Sequence, residues 1–124
     1  MSEMKNVINT LKKIVGCEPD MKAMENAFED HLYNAQMKIW FGGFYDHIKN
    51  LDEETRTYLV SAYLQKKISI RSSSIHATVM SLNGYGTIVF NTETNRFMAY
   101  RDADNTKEYF VNFDIALDYL FMKV

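Results

Sequence analysis

The sequence predicts an α+β domain with about three N-terminal helices, an antiparallel β-meander of three to four strands and a short C-terminal helix. Through the first half, apolar residues recur at steps of three and four, the spacing that lines one face of a helix. From Ile68 onward, β-branched and alternating residues predict strands instead. The connections between these strands are too short for crossovers, so the strands must be mostly antiparallel. Because no linker divides the chain, we predict a single domain over residues 1–124.

The composition excludes several classes of protein. The chain of 124 residues is 47% hydrophobic and 14% aromatic, with five glycines and one proline, which excludes disordered and collagen-like chains. A domain of this size buries about two-thirds of its unfolded surface and needs neither disulfides nor metal. Cys17 alone cannot form an internal bridge. No stretch approaches the roughly 20 apolar residues of a membrane span, and we expect a cytoplasmic protein without membrane contact or cofactor.

The first predicted helix ends at Gly16, and its apolar face is formed by Met4, Val7, Ile8, Leu11, Ile14 and Val15. Asp20 is the predicted N-cap of a second helix that continues to Ile39. The pair Gly42-Gly43 interrupts it, so that residues 44–49 form either a kinked continuation or a separate short helix.

A third helix is predicted to begin after Asp52, its N-cap, and to end near residues 66–67. Ile68 and Ile70 then alternate with polar neighbours, and the serines at 72–74 are predicted to interrupt this pattern. Four short strands follow from the pattern, at residues 75–82, 87–90, 96–101 and 108–111. Asn83-Gly84 predicts a hairpin turn, and Asn112 is the predicted cap of the last helix.

The net charge of −2 hides four blocks of alternating sign. Residues 1–17 carry +2 and residues 18–54 carry −6, whereas residues 55–101 carry +5 and residues 102–124 carry −3. The acidic helical half and the basic strand half either neutralise each other within the fold or face different partners.

Aromatic residues surround the double glycine, within the acidic block. Such residues are enriched at interface hot spots, and glycines allow a loop to present them. The alternative is that they fill the core beneath a helical corner. The acidic surroundings favour a basic protein partner. The predicted protein interface comprises Trp40, Phe41, Phe44, Tyr45, Glu29, Asp30 and Asp46.

Two segments, 28–34 and 44–50, share Phe, Asp, His, a branched aliphatic residue and Asn at an offset of sixteen positions. If the chain folds back at the glycines, their Asp and His side chains approach each other and offer ligands suited to zinc. Neighbouring Asp and His, however, point about 100 degrees apart on a helix. We therefore favour two similar helical patterns with exposed Asp and His, and no metal site.

The basic block supports nucleic-acid binding as an alternative function. Its candidate residues are Lys66, Lys67, Arg71, Tyr85, Arg96 and Arg101. Residues 83–90 also resemble the RNP1 octapeptide of RNA recognition motif domains, whose strand aromatics stack on bases. The matching residues are Gly84, Tyr85, Gly86, Ile88 and Phe90. Asn83 and Thr87 depart from that motif, and the predicted meander lacks the β-α-β-β-α-β order of the family.

The three histidines have no nucleophile partner at a motif spacing, no phosphate loop or G-x-S-x-G motif is present, and we expect a non-enzymatic protein. The leading hypothesis is a small protein-binding module that acts as an inhibitor or adaptor. The composition, rich in Met, Tyr, Phe and Asn and poor in Pro, resembles that of small accessory proteins of bacteriophages and mobile elements, some of which block host nucleases or defence complexes. The alternatives are a nucleic-acid-binding domain that uses a basic β-sheet face and a structural subunit of a homo-oligomer.

Overall fold

The computed structural model describes residues 2–16 and 31–122 and shows helices on one side of a single sheet. The helical elements are α1 (Ser2–Val15), α2 (His31–Phe41), a 3₁₀ turn (Gly42–Phe44), α3 (Tyr45–Lys49), α4 (Glu53–Leu64) and α5 (Phe113–Phe121). The strands are β1 (Ile68–Ser74), β2 (Ala77–Leu82), β3 (Gly86–Asn91), β4 (Arg96–Arg101) and β5 (Thr106–Phe110). The predicted α+β class is confirmed. In the described ranges, no helix is both long and apolar enough to cross a membrane.

The sheet is an antiparallel meander in the order β1-β2-β3-β4-β5, with one strand more than the three to four predicted. The difference arises at the serines, which were expected to interrupt the strand pattern. Ser72 pairs with Thr78, and β1 therefore continues to Ser74. The turn into β2 is closed by side chains: the Ser72 hydroxyl donates to the Ser74 carbonyl at 3.1 Å, and the His76 N–H donates to Ser74 Oγ at 3.2 Å.

The core lies between the helices and one face of the sheet. The inward strand positions are apolar at Ile68, Met80, Leu82, Ile88, Phe90, Phe97 and Ala99. Helix α1 packs against α4 and α5 and buries Val7, Leu11 and Val15, which are four residues apart. Full burial of each large aliphatic side chain contributes about 1.5–3 kcal/mol, so this face accounts for the orientation of α1.

The double glycine forms the corner between α2 and α3. Gly42 has a φ of 54°, a conformation that glycine adopts without steric cost. A Cβ on Gly43 would lie 2.9 Å from Thr78 Oγ1, which shows how closely the turn approaches β2. The corner directs Phe44 into the core, where its ring centroid is 6.1 Å from that of Phe97. The chain therefore bends here and α3 is a separate short helix, one of the two options open from the sequence.

Helix α4 is delimited at both ends by hydrogen bonds. The predicted N-cap Asp52 accepts from the Thr55 N–H at 3.3 Å and from its hydroxyl at 2.6 Å. At the C-terminus, Lys66 N donates to the Tyr63 carbonyl and Lys67 N to the Ala62 carbonyl, a Schellman motif. Lys66 occupies the left-handed position of this motif, with a φ of 63°. The motif turns the chain from α4 directly into β1.

Candidate binding surfaces

The aromatic corner is part of the core rather than a surface. Phe41 and Phe44 are fully buried and Tyr45 is buried, so these three residues of the predicted interface face the core in this fold. The corner packs inward because the 3₁₀ turn lies against the sheet. Trp40 is half-buried, with its ring 5.5 Å from that of Tyr63, and Asp46 is exposed. Glu29 and Asp30 lie outside the described residues.

His47 lies within the helical layer. Its imidazole contacts the rings of Phe90 and Phe97 edge-on, with both centroid distances 4.7 Å. Burial lowers the pKa of His47, and the neighbouring Asp46 opposes part of that effect. The first half of the 28–34 and 44–50 repeat lies largely outside the described residues. In the described part of the chain, no group of three or more His, Cys, Asp or Glu side chains is placed to hold a metal ion.

Strand β1 is an edge of the sheet, and half of its backbone groups face away from β2. Asn83 N donates to the Lys67 carbonyl at 3.1 Å, which sets the direction of the backbone at the start of the strand. Because this direction alternates along a strand, the N–H and C=O groups of Ile68, Ile70 and Ser72 point to the free edge. Among the described residues, no strand pairs with that side of β1.

A groove of about 470 Å³ runs beside this free edge. We call it the edge groove; its lining residues are Trp40, Tyr63, Leu64, Lys66, Ile68, Ser69 and Ile70. Leu64 is 49% exposed and contributes apolar surface to the wall of this groove. The edge groove therefore combines apolar walls with unpaired backbone groups.

Cations flank the edge groove. Lys66 and Lys67 are exposed in the Schellman turn, and Arg71 is exposed in β1. Within the described ranges none of the three forms an ion pair with a carboxylate. All three belong to the predicted nucleic-acid surface, and one of them, Lys66, lines the edge groove together with Trp40, a residue of the predicted protein interface.

The second surface is the face of the sheet that no described helix covers. We call it the open face; it comprises the outward side chains of β1–β5. A row crosses all five strands on this face, formed by Arg71, Val79, Val89, Met98 and Tyr109. Val79 is buried but lies outside the main core cluster. A groove of about 400 Å³ crosses the β3–β5 side of the open face, lined by Val89, Asn91, Thr94, Arg96, Met98 and Tyr109.

Two of the predicted nucleic-acid residues do not belong to the open face. Tyr85 is half-buried, with its ring 5.1 Å from that of Phe121. Arg101 lies at an inward position and forms a two-point hydrogen bond to Asp104, at 3.0 and 2.8 Å. The RNP1-like segment also presents Ile88 and Phe90 to the core, so its apolar residues cannot stack on bases. Strand parity decides the positions of Arg101, Ile88 and Phe90, because alternate residues of a strand face opposite sides.

Arg96 and Arg71 do lie on the open face, together with three residues that the sequence pattern does not indicate: Lys107, Tyr100 and Tyr109. The register between β4 and β5 brings these residues together, because it pairs Tyr100 with Lys107, and this register cannot be derived from the pattern of one strand alone.

Comparisons with protein-family models, with curated proteins and with solved structures found no match to this chain. The two surfaces are therefore the basis on which a function is proposed.

Proposed function

We propose that the protein is a non-enzymatic protein-binding module that accepts an extended segment of a partner as an additional strand beside β1. The observation that supports this proposal is the edge groove next to a free strand edge. In strand addition, main-chain hydrogen bonds supply affinity and pockets for alternate side chains supply specificity. Ile68, Ile70 and Ser72 offer the hydrogen bonds, and the edge groove offers the pocket.

The charges indicate the chemistry of the partner. Alternate side chains of an added strand point to the groove side and to the open-face side. On the open-face side they meet Lys67 and Arg71, and opposite charges on neighbouring strands contribute roughly 0.2–1 kcal/mol per pair. A segment that alternates apolar and acidic residues therefore fits both sides of the edge. The acidic block predicts a basic partner that binds the aromatic corner. Because that corner is buried and cations flank the edge groove, we propose an acidic partner instead.

The same charges disfavour a second copy of this chain as the occupant. Antiparallel pairing of two β1 edges would bring the basic residues of both copies together, and like charges across strands destabilise pairing. Strand β5, the other edge, carries Lys107 and Glu108 in its middle, and charged mid-strand residues discourage strand addition. As an inhibitor or adaptor, the protein would pair β1 with an extended segment of its target. It would thereby compete with other proteins that bind the same segment.

Synthetic peptides test the proposal. The probe is a peptide of about seven residues, the length of an average strand or slightly more, that alternates valine and glutamate. We expect saturable one-to-one binding in an NMR titration, with shifts of the amide signals of Ile68, Ile70 and Ser72. Two peptides of equal length are the controls: one alternates valine and lysine, and the other is the valine–glutamate peptide with a central proline. Equal binding of the lysine peptide would contradict the proposal.

Matched variants locate the binding site. Leu64→Ser removes an apolar wall of the edge groove and should weaken binding of the glutamate peptide by about 1 kcal/mol, or about fivefold. Ile115→Ser, at a residue 41% exposed on α5, is the control and should leave binding unchanged. Equal effects of the two variants would place the peptide elsewhere. Self-association that Leu64→Ser abolishes, measured by analytical ultracentrifugation, would identify a second copy as the occupant and refute the proposal.

A further inference from the structure

The open face carries positive charge only. Arg71, Arg96 and Lys107 are exposed at outward strand positions, and no outward position of the five strands carries a carboxylate. Within the described part of the chain, none of these cations forms an ion pair. Neighbouring strands lie about 4.8 Å apart, so Arg71 and Arg96 are separated by about 14 Å across the sheet. Their spacing suits separate charges along an extended polyanion rather than one bound ion.

The same face exposes aromatic side chains. Tyr109 is 61% exposed, and Tyr100 is its diagonal neighbour on β4. Diagonal pairs lie about 7–8 Å apart, a distance that aromatic side chains can bridge. Tyr109 also forms a wall of the 400 Å³ groove, in which Asn91 and Thr94 provide an amide and a hydroxyl. Apolar, aromatic and hydrogen-bonding groups thus surround one cleft, whose volume is typical of ligand sites.

We propose that the open face binds single-stranded nucleic acid. Arg71, Arg96 and Lys107 contact phosphates, and a base enters the groove and stacks on Tyr109. Exposed aromatics on a sheet stack on unpaired bases, and a positively charged surface follows the backbone. A duplex conceals its base faces, so the same surface prefers a single strand. This proposal is independent of strand addition at β1; because Arg71 belongs to both surfaces, the tests use only Arg96 and Tyr109.

Fluorescence anisotropy measures the binding. The probes are labelled oligouridine and oligothymidine of about 12 nucleotides and a duplex of the same length. We expect saturable binding of the single strands, and three phosphate contacts predict a slope of about −2 for log affinity against log salt concentration. Absence of saturable binding at about 50 mM salt, or equal affinity for the duplex, would overturn the proposal.

Two variants test whether the single-stranded nucleic acid binds to the open face. Arg96→Gln should weaken binding and reduce the salt slope by about 0.7. Lys13→Gln changes the net charge equally on the opposite side of the molecule and should have no effect. Tyr109→Leu should weaken binding about fivefold or more, because stacking of a base on an aromatic ring is lost. Equal effects of Arg96→Gln and Lys13→Gln, or full affinity of Tyr109→Leu, would contradict the proposal.

An acidic polypeptide distinguishes a nucleic acid from a protein on this face. Poly-glutamate has the charge of a polyanion but no bases, and we expect it to compete weakly with oligouridine. Competition at equal charge concentration would identify general attraction of acids, and it would overturn the assignment to nucleic acid. Thermal melting of each variant confirms that the fold is retained, since the substituted side chains are exposed.

Discussion

Arg101 and Asp104 hold the β4–β5 turn against the last helix. Arg101 Nε and Nη2 donate to the two carboxylate oxygens at 3.0 and 2.8 Å, and Nη1 donates to the Tyr119 carbonyl at 3.2 Å. The guanidinium also lies 4.3 Å from the centroid of the Tyr119 ring. Thr106 Oγ1 donates to Asp104 Oδ1 at 2.7 Å. An arginine predicted to bind nucleic acid therefore has a structural role.

Because of this cluster, the free energy of unfolding depends on pH in acidic solution. The Arg101 hydrogen bond, followed by the Thr106 hydroxyl, lowers the pKa of Asp104 from 3.8 to about 2. Between these values the unfolded chain binds more protons than the native protein, so stability decreases as pH falls from about 4 to about 2. We expect Asp104→Asn to be less stable than the wild type at neutral pH, with a difference that narrows over this range. Urea denaturation across pH measures it.

Asp102→Asn is the control for Asp104→Asn. Asp102 is exposed in the same turn and has no ion pair within the described residues, so its substitution should change stability little. A constant difference between Asp104→Asn and the wild type from neutral pH to about pH 2 would contradict the role of the ion pair.

The burial of His47 predicts a second effect of pH on stability. Because burial lowers its pKa below the ordinary value of 6.5, the native state binds this proton less readily than the unfolded chain. Stability should therefore fall as pH decreases below 6.5, and the loss should end once pH is below the native pKa. His47→Gln should remove this part of the pH dependence. An NMR titration of the imidazole that gives a pKa above 6.5 would refute the prediction.

Gly86 is required by close packing. It has a φ of 152°, and a Cβ there would overlap the Tyr100 carbonyl oxygen and lie 2.8 Å from Leu120 Cδ2. Gly86→Ala should lower the free energy of unfolding by about 3 kcal/mol or more, because backbone atoms must move. Gly84→Ala is the matched control, since Gly84 has a φ of 86° but no atom within 4 Å of the added Cβ.

Gly84→Ala should therefore cost only about 1–2 kcal/mol, from the backbone conformation alone. Equal losses in the two alanine variants, measured by urea denaturation, would show that packing against β4 and α5 contributes nothing at Gly86.

The aromatic corner should contribute to stability through Phe44 more than through Trp40. Phe44 is fully buried and contacts three phenylalanine rings, so Phe44→Ala should cost about 3–5 kcal/mol. Trp40 is half-buried at the edge groove, so Trp40→Ala should cost less and should weaken binding of the valine–glutamate peptide. A larger loss of stability for Trp40→Ala would reverse this ranking.

Much of the architecture was predictable because it follows from local patterns. The period of α1, the Asp52 cap, the Asn83-Gly84 turn and the alternation of the strands each depend on residues close in sequence. The serines of β1 predict an interruption of the strand because hydroxyl side chains are typical of loops. Their place in the sheet depends on pairing with β2.

The candidate surfaces were less predictable. Sequence period shows which residues share a face, but it does not show what covers that face. The groups that cover Phe44 lie on β3, β4 and α5, far along the chain, and the sequence pattern therefore allows both a core and a surface role for the corner. Arg101 is a similar case. Its partner Asp104 is near in sequence, but its burial depends on Tyr119, which lies on α5.

The sequence by itself determined the α+β class, the antiparallel order of the strands, the C-terminal end of α1 and the limits of α4, because short-range periodicity and capping encode them. Only the tertiary structure decided that the aromatic corner is core, that Lys66 and Trp40 line the same groove, and that one sheet face stays open among the described elements. These features depend on contacts between distant segments, since burial and proximity are set by the packing of helices on the sheet.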